Sequence, residues 1–320
     1  MTPRPQPATG SASGKVILFG EHAVVYGAPA IAVPINGLRA TATFTPAADS
    51  LSELEIVADS IALNTRLSNL ATGHPLAAAI LETLRSLAIP NPPAGKLQVQ
   101  STIPAAAGLG SSAAVTIALA RALAASLSRE LTPHAAAHIA QSVETLQHGT
   151  ASGIDPTVIA HNTALYFKKG SDPIFLQPSK NLMLIVADTG EPGSTRNAVA
   201  AVRARYDANP SHHQTIFAQI GALSDAARGC LANGAQAELG ELMHENQRLL
   251  QLLGVSTTML DNLCAAARQS GAFGAKLTGA GTGGCMIALV DMQTAVRVQA
   301  ALIAAGAKTA SINALAPGTL

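Results

Sequence analysis

The sequence predicts an α+β protein of two layered domains, and three observations carry that expectation. Its 320 residues suffice for about two domains with sizeable cores. Short apolar runs with strand character are interleaved with long helical patterns in both halves. A stretch punctuated by Ser171, Asp172, Pro173, Pro178 and Ser179 separates the halves and marks a boundary. The expected organisation is a disordered tail over 1–12, an N-terminal domain over 13–178 and a C-terminal domain over 179–320.

In order, the Pro-rich opening predicts the tail, and the Val-Ile-Leu run at 15–19 predicts the first strand. Residues 30–33, 40–45 and 53–57 are further strand candidates, and 75–87 carries a helical pattern. After the turn at 91–95, residues 96–101 alternate like a strand. A glycine loop follows, then a helix over 112–127. Pro133 opens another helix running to about 147, and 148–156 is expected to be a loop of small residues. A strand at 164–168 closes the first domain. In the second, a strand at 182–187 precedes three or four helices over 195–270. Strands at 272–277 and 285–290, a helix to about 305 and a strand at 308–313 complete it.

Composition narrows the function classes. Charged residues make up only 12% of the chain, the net charge is +1 and no basic block appears, so nucleic acid is not an expected partner. Neither a run of ~18 apolar residues nor the apolar core of a secretory signal is present, which predicts a soluble cytoplasmic protein with no membrane partner. Cys230, Cys264 and Cys285 are far apart and odd in number, as expected of buried thiols in a reducing compartment.

The chemistry centres on Ile103-Pro-Ala-Ala-Ala107-Gly108-Leu109-Gly110-Ser111-Ser112-Ala-Ala114. Gly108 and Gly110 can take positive φ and let backbone N–H groups converge on a ligand. A helix starting at Ser111 and Ser112 would aim its unpaired N–H groups and positive dipole end at an anion such as a triphosphate. The same Ser pair could act simply as an N-cap. Two other glycine patterns do not hold up. Gly279-Ala280-Gly281-Thr282-Gly283-Gly284 matches the dinucleotide fingerprint, but a strand rather than a helix follows it. The 10–15 stretch is one residue short of a P-loop and has Val16 where the magnesium-binding hydroxyl belongs.

Three segments together resemble the motifs of the GHMP kinases: Ser13-Gly14-Lys15-Val16-Ile17-Leu18-Phe19-Gly20-Glu21-His22-Ala23-Val24-Val25-Tyr26-Gly27, the loop at 108–112, and Lys276-Leu277-Thr278-Gly279-Ala280-Gly281-Thr282-Gly283-Gly284-Cys285. The first is most similar to the mevalonate kinase branch, as is the acidic pair Glu144 and Asp155. The resemblance implies a two-domain GHMP kinase fold, with a ribosomal-S5-like N-terminal domain and a ferredoxin-like C-terminal domain. It implies ATP as co-substrate, bound along Ala107, Gly108, Leu109, Gly110, Ser111 and Ser112, and Mg2+ on Ser112 and Glu144. Asp155 would be the catalytic base and Lys15 the charge stabiliser. Glu21, His22, Thr195 and Gly281 would face the acceptor, with His22 donating a hydrogen bond. The acceptor implied is mevalonate, phosphorylated on its 5-hydroxyl, and the assembly a homodimer. Other GHMP acceptors, and a catalytically silent ATP-binding sensor, are the alternatives.

Hard oxygen ligands suit magnesium, and phosphoryl transfer asks mainly for alignment and charge neutralisation. A lone Asp, Glu or Lys is otherwise a surface salt bridge. The sequence departs from the family pattern at Ser13, Ala105, Ala106, Thr150, Ala151, Pro156 and Thr282, and Gly193 and Ser194 stand where an arginine often precedes Thr195.

Overall fold

The computed structural model describes residues 5–47, 53–71, 73–104, 107–148 and 152–317. They form two compact units that interleave along the chain. The first comprises Met1–Gly14, Leu38–Ile103 and Gly110–Asn162; the second comprises Lys15–Gly37, Pro104–Leu109 and Thr163–Leu320. Strands β1 (Ala8–Phe19) and β2 (Ala30–Pro46) each contribute residues to both.

In the first unit, β3 (Leu54–Ala58) pairs antiparallel with β4 (Leu63–Arg66) and parallel with β5 (Gly95–Ser101). The parallel pair requires a crossover, and α1 (Pro75–Ser86) supplies it. The later half of β2 lies antiparallel to β5, with Ala40 opposite Ser101 and Pro46 opposite Gly95. Helices α2 (Ser111–Ser126), α3 (Pro133–His148) and α4 (Ile154–His161) pack together with α1. Helix α2 is apolar nearly all round because it is buried nearly all round, with Ala113, Ala114, Ala118, Ala120 and Ala122 each fully enclosed. Alanine there lets neighbouring backbone approach closely.

That close approach corrects the expectation of a disordered tail through residue 12. Strand β1 begins at Ala8, and Gly10 lies so near α2 that a Cβ on it would sit 2.2 Å from the Ala118 carbonyl oxygen and 2.4 Å from the Ala122 nitrogen. Arg121 of α2 donates to the Ser11 carbonyl at 2.7 Å, and the Gln6 amide donates to the Ser126 carbonyl at 2.9 Å. The small residues of this stretch are what the close packing requires. Other boundaries also shift: 30–33 and 40–45 belong to one strand, and the expected loop at 148–156 gives way to α4 at Ile154.

In the second unit, the start of β2 pairs antiparallel with β6 (Ala164–Phe167), which pairs with the short β7 (Ile174–Leu176). The remaining elements are β8 (Leu182–Asp188), α5 (Thr195–Ala208), α6 (Pro210–Asn233), α7 (Gln236–Leu252), α8 (Thr258–Gln269), β9 (Gly274–Leu277), β10 (Cys285–Val290), α9 (Ala295–Ala304) and β11 (Thr309–Leu315). Their sheet runs β11-β8-β10-β9, with every pair antiparallel. Counted within this sheet, that order is 4-1-3-2, the ferredoxin-like arrangement, with α5 to α8 inserted after its first strand. Ile185, Leu249, Leu260, Leu277, Met286 and Val298 belong to its core. Cys264 and Cys285 are buried free thiols, their pKa values raised by burial, while Cys230 is half-buried. Among the described residues, no helix is long and apolar enough to cross a membrane.

Replacing Gly10 with Val is expected to force β1 off α2 and cost about 2–3 kcal/mol, by the usual penalty for overpacking. Urea denaturation measures it; an unchanged midpoint would mean that the strand does not pack there.

Candidate active site

The first and third glycine-flanked segments, far apart in sequence, meet in the second unit through hydrogen bonds. Thr278, at the end of β9, accepts from the Ile17 amide at 3.0 Å and donates to the Ile17 carbonyl at 2.9 Å, clamping β1 by one hydroxyl. The Lys15 amide donates to the Leu109 carbonyl at 3.0 Å, which ties β1 to the entry of the second glycine loop. Gly108 and Gly279 lie in contact, so that a Cβ on Gly108 would sit 3.9 Å from the Gly279 Cα. Ala107, Gly108, Gly193, Thr195, Thr278, Ala280, Gly281, Gly283 and Gly284 line a narrow crevice there.

Each wall of that crevice has a local cause. Gly281 has φ +69°, and a Cβ on it would lie 2.1 Å from the Val255 carbonyl oxygen, so only glycine fits. Thr282, with φ 56°, donates its amide to the same carbonyl at 2.7 Å, which shows how the third glycine run tolerates a threonine. The Gly284 amide donates to the Glu191 carbonyl at 2.8 Å. Ser194 caps α5 by accepting from the Asn197 amide at 3.3 Å, and Thr195 opens that helix in an exposed position.

Two residues before Thr278, Lys276 forms an ion pair with no solvent access. The Lys276 ammonium donates to Glu21 Oε1, and to the Leu277 carbonyl at 2.7 Å, while Asn246 Nδ2 on α7 donates to Glu21 Oε2 at 3.0 Å. Side-chain exposure is 0% for both charged partners. Burial lowers the Lys276 pKa and the Glu21 carboxylate opposes that shift. Removing one partner of such a pair typically costs about 3–5 kcal/mol, because the other charge is left buried and uncompensated. Glu21, expected to face the acceptor, is thus turned inward with both oxygens engaged.

His22 follows directly and has a strained backbone, φ 59° and ψ −47°. The Ala23 amide reaches back to the Glu21 carbonyl at 2.6 Å, closing a three-residue γ-turn of the rare positive-φ kind. His22 is 7% exposed, and its Nε2 donates to the Ala280 carbonyl at 2.9 Å. A carbonyl can only accept, so the neutral ring carries its proton on Nε2 and offers Nδ1 as an acceptor. The expected donor role toward a ligand is therefore corrected, since the donor is already committed to Ala280. Burial pushes the His22 pKa below its ordinary 6.5; the Arg205 charge acts the same way, against Ala280 and Glu21.

Lys15, on β1, is 5% exposed, which excludes the surface salt bridge as its explanation. The other expected residues lie in the first unit. Gly110 is the N-cap of α2 in the left-handed conformation, φ 73°, and no side chain caps the helix. Ser111 and Ser112 are therefore its first two residues rather than the capping pair. Glu144 is half-buried on α3, and Asp155 is half-buried in the first turn of α4. Pro156 follows Asp155 without disturbing α4, because a first-turn proline lacks only an N–H that has no helical partner. Ala105, Ala106, Thr150 and Ala151 lie outside the described residues.

A hydroxyl on Ser112 and a carboxylate on Glu144, carried by two packed helices of one unit, are hard oxygen donors of the kind Mg2+ takes from protein. Among the described residues no group of three or more His, Cys, Asp or Glu could hold a metal. Sequence reasoning left Lys276, Asn246 and the clamp by Thr278 without a role. The only signal was the position of Lys276 and Thr278 within the third motif.

Comparison with known proteins agrees with this architecture. The family described as GHMP kinases N terminal domain matches residues 69–162, and GHMP kinases C terminal matches residues 227–308. The chain belongs to the GHMP kinases. The particular members it resembles over nearly their full length are mevalonate kinases. One from Pyrococcus horikoshii is 40% identical over 313 residues, covering 90% of this chain and 91% of the relative. The crystal structure of L. major mevalonate kinase in complex with R-mevalonate superposes with a TM-score of 0.85 at 25% identity, over 100% of both chains. That of the Methanococcus jannaschii mevalonate kinase gives a TM-score of 0.83 at 28% identity, over 99% of this chain and 100% of the other.

The lowered His22 pKa has a sign that denaturation can check. The unfolded ring binds its proton near 6.5 and the folded ring only below that, so acidification through this window favours the unfolded state. Between about pH 7.5 and about pH 5 the protein is expected to lose more stability than its His22→Gln variant does. Equal losses would show that the ring titrates alike in both states.

Proposed function

We propose that the chain transfers the γ-phosphoryl group of ATP to the 5-hydroxyl of (R)-mevalonate, giving 5-phosphomevalonate and ADP, in the mevalonate route to isoprenoids. The observation that carries this reading is the junction of β1, the entry to the second glycine loop and the third motif by the Thr278 clamp and the Lys15–Leu109 bond. The names of the relatives support the acceptor. In this reading residues 13–178 supply nucleotide binding and catalysis, and 179–320 complete the acceptor site. The enzyme acts in the cytoplasm, as a homodimer.

The uncapped start of α2 and the backbone of Ala107, Gly108, Leu109, Gly110, Ser111 and Ser112 receive the phosphates, as a helix N-terminus favours anions. Ser112 and Glu144 would hold Mg2+, which when bound neutralises phosphate charge and orients the leaving group. The acceptor oxygen forms its bond to the γ-phosphorus as the bond to the bridging oxygen of ADP breaks, through a loose transition state. The hydroxyl proton passes to the Asp155 carboxylate, which acts as general base. Lys15, a compact point charge on the strand whose backbone is tied to Leu109, stabilises the equatorial oxygens and the incoming alkoxide. On the acceptor side, His22 Nδ1 accepts from a substrate hydroxyl, and Thr195 and Gly281 shape the remaining wall.

The test is mevalonate-dependent ADP release by the purified chain and two variants. Asp155→Asn and Lys15→Met are each expected to lower kcat by on the order of 10²–10⁴ with the fold intact. Nucleotide binding without ADP release by the unaltered chain would favour the sensor; full turnover by Asp155→Asn would contradict the assigned base.

A further inference from the structure

We propose that Lys276, with Glu21 and Asn246, is a positioning unit for the acceptor: the buried pair fixes the γ-turn that aims His22, and none of the three touches substrate. The inference rests on the acceptor-side role given to His22 above. Glu21 is the first residue of the γ-turn, and its carbonyl closes it. Its carboxylate is held at both oxygens, by Lys276 of β9 and Asn246 of α7. Strain of this kind persists only where surroundings over-determine it, and here the surroundings are two polar contacts inside a core with no access to water.

The same strand sets the other end of the His22 side chain. Lys276 and Thr278 flank Leu277, whose amide donates to Gln247 Oε1 at 2.8 Å on α7. Two residues beyond Thr278, the Ala280 carbonyl accepts the hydrogen bond from His22 Nε2. Backbone turn and imidazole are thus fixed to one short stretch of chain, the first through Glu21 and Lys276, the second through Ala280. Loss of the pair would release the turn while leaving the 107–109 segment joined to β1 by the Lys15 amide. The effect should fall on acceptor use and spare nucleotide use. A merely structural pair would weaken both substrates together, through a smaller folded fraction.

The experiment compares Lys276→Met, Glu21→Gln and the double variant with the unaltered chain, each checked for folding by thermal denaturation. Each single change is expected to lower kcat/KM for mevalonate by about 10²-fold, the usual consequence of displacing a positioning group by about 1 Å, with KM for ATP changed less than about threefold. The double variant should be no worse than the poorer single one, since both remove one interaction. Asn246→Leu keeps the ion pair and removes only its third member. It provides the measurement if the charge variants do not fold, with an expected loss of about tenfold confined to mevalonate.

A second readout does not need turnover. In 15N-histidine spectra the unaltered chain should show His22 as a single Nε2-protonated tautomer, and Asn246→Leu should show a mixture of tautomers. Parallel losses for ATP and mevalonate, or an unchanged His22 signal in Asn246→Leu, would overturn the proposal. Absence of mevalonate turnover in the unaltered chain would instead contradict the assigned reaction, and the His22 spectra would still decide the positioning.

Discussion

The interaction on which the second unit most depends is the buried contact between Glu21 and Lys276. A carboxylate and an ammonium removed from water are costly, and only close mutual contact with further hydrogen bonds offsets that cost. The geometry that satisfies them fixes much else. The end of β1 must lie against β9, α7 must present Asn246, and the chain after Glu21 must turn within one residue. An apolar pair could fill the same volume, but it would not specify the direction of that turn. Thr278 adds a neutral version of the same device two residues on, by serving both backbone groups of Ile17.

Around this junction the physical means are plain. Glycine allows backbone to pass where a Cβ would collide, as at Gly281 against Val255 and Gly10 against α2. Alanine lets α2 be enclosed nearly all round, and its uncapped first turn leaves backbone donors for an anion. Phosphoryl transfer asks little covalent work of a protein and mainly positioning and charge stabilisation. Membership of the GHMP kinases and the resemblance to mevalonate kinases follow from the whole chain rather than from any one of these features.

Much of this was legible in the sequence, for reasons that differ between elements. Strand β10 and the helices α2 and α3 announce themselves by local pattern, within one or two residues of their observed ends. Gly108 and Gly110 were readable because positive φ and helix starts are local properties. The partnership of Glu21 with Lys276 was not, since 255 positions separate them and no periodicity links a glutamate at a strand end to a lysine inside another strand. The proton position on His22 was hidden for the same reason, being set by Ala280, 258 positions away. Helix α4 was missed because Ser152, Gly153 and Pro156 signal a loop, whereas Gly153 serves as its left-handed N-cap and Pro156 sits in its first turn. The strand at Ala8 was missed because the prolines of the opening signal disorder unless a partner surface is known.

The proposed reaction is phosphoryl transfer from ATP to the 5-hydroxyl of mevalonate. The most direct test is identification of the phosphorylated product by 31P and 1H NMR after incubation with MgATP and each of mevalonate, phosphomevalonate, homoserine and galactose in turn. A single phosphate monoester on C5 of mevalonate, with the other acceptors unchanged, is the predicted result. A product from another acceptor with mevalonate untouched, or phosphate on a different mevalonate hydroxyl, would contradict it.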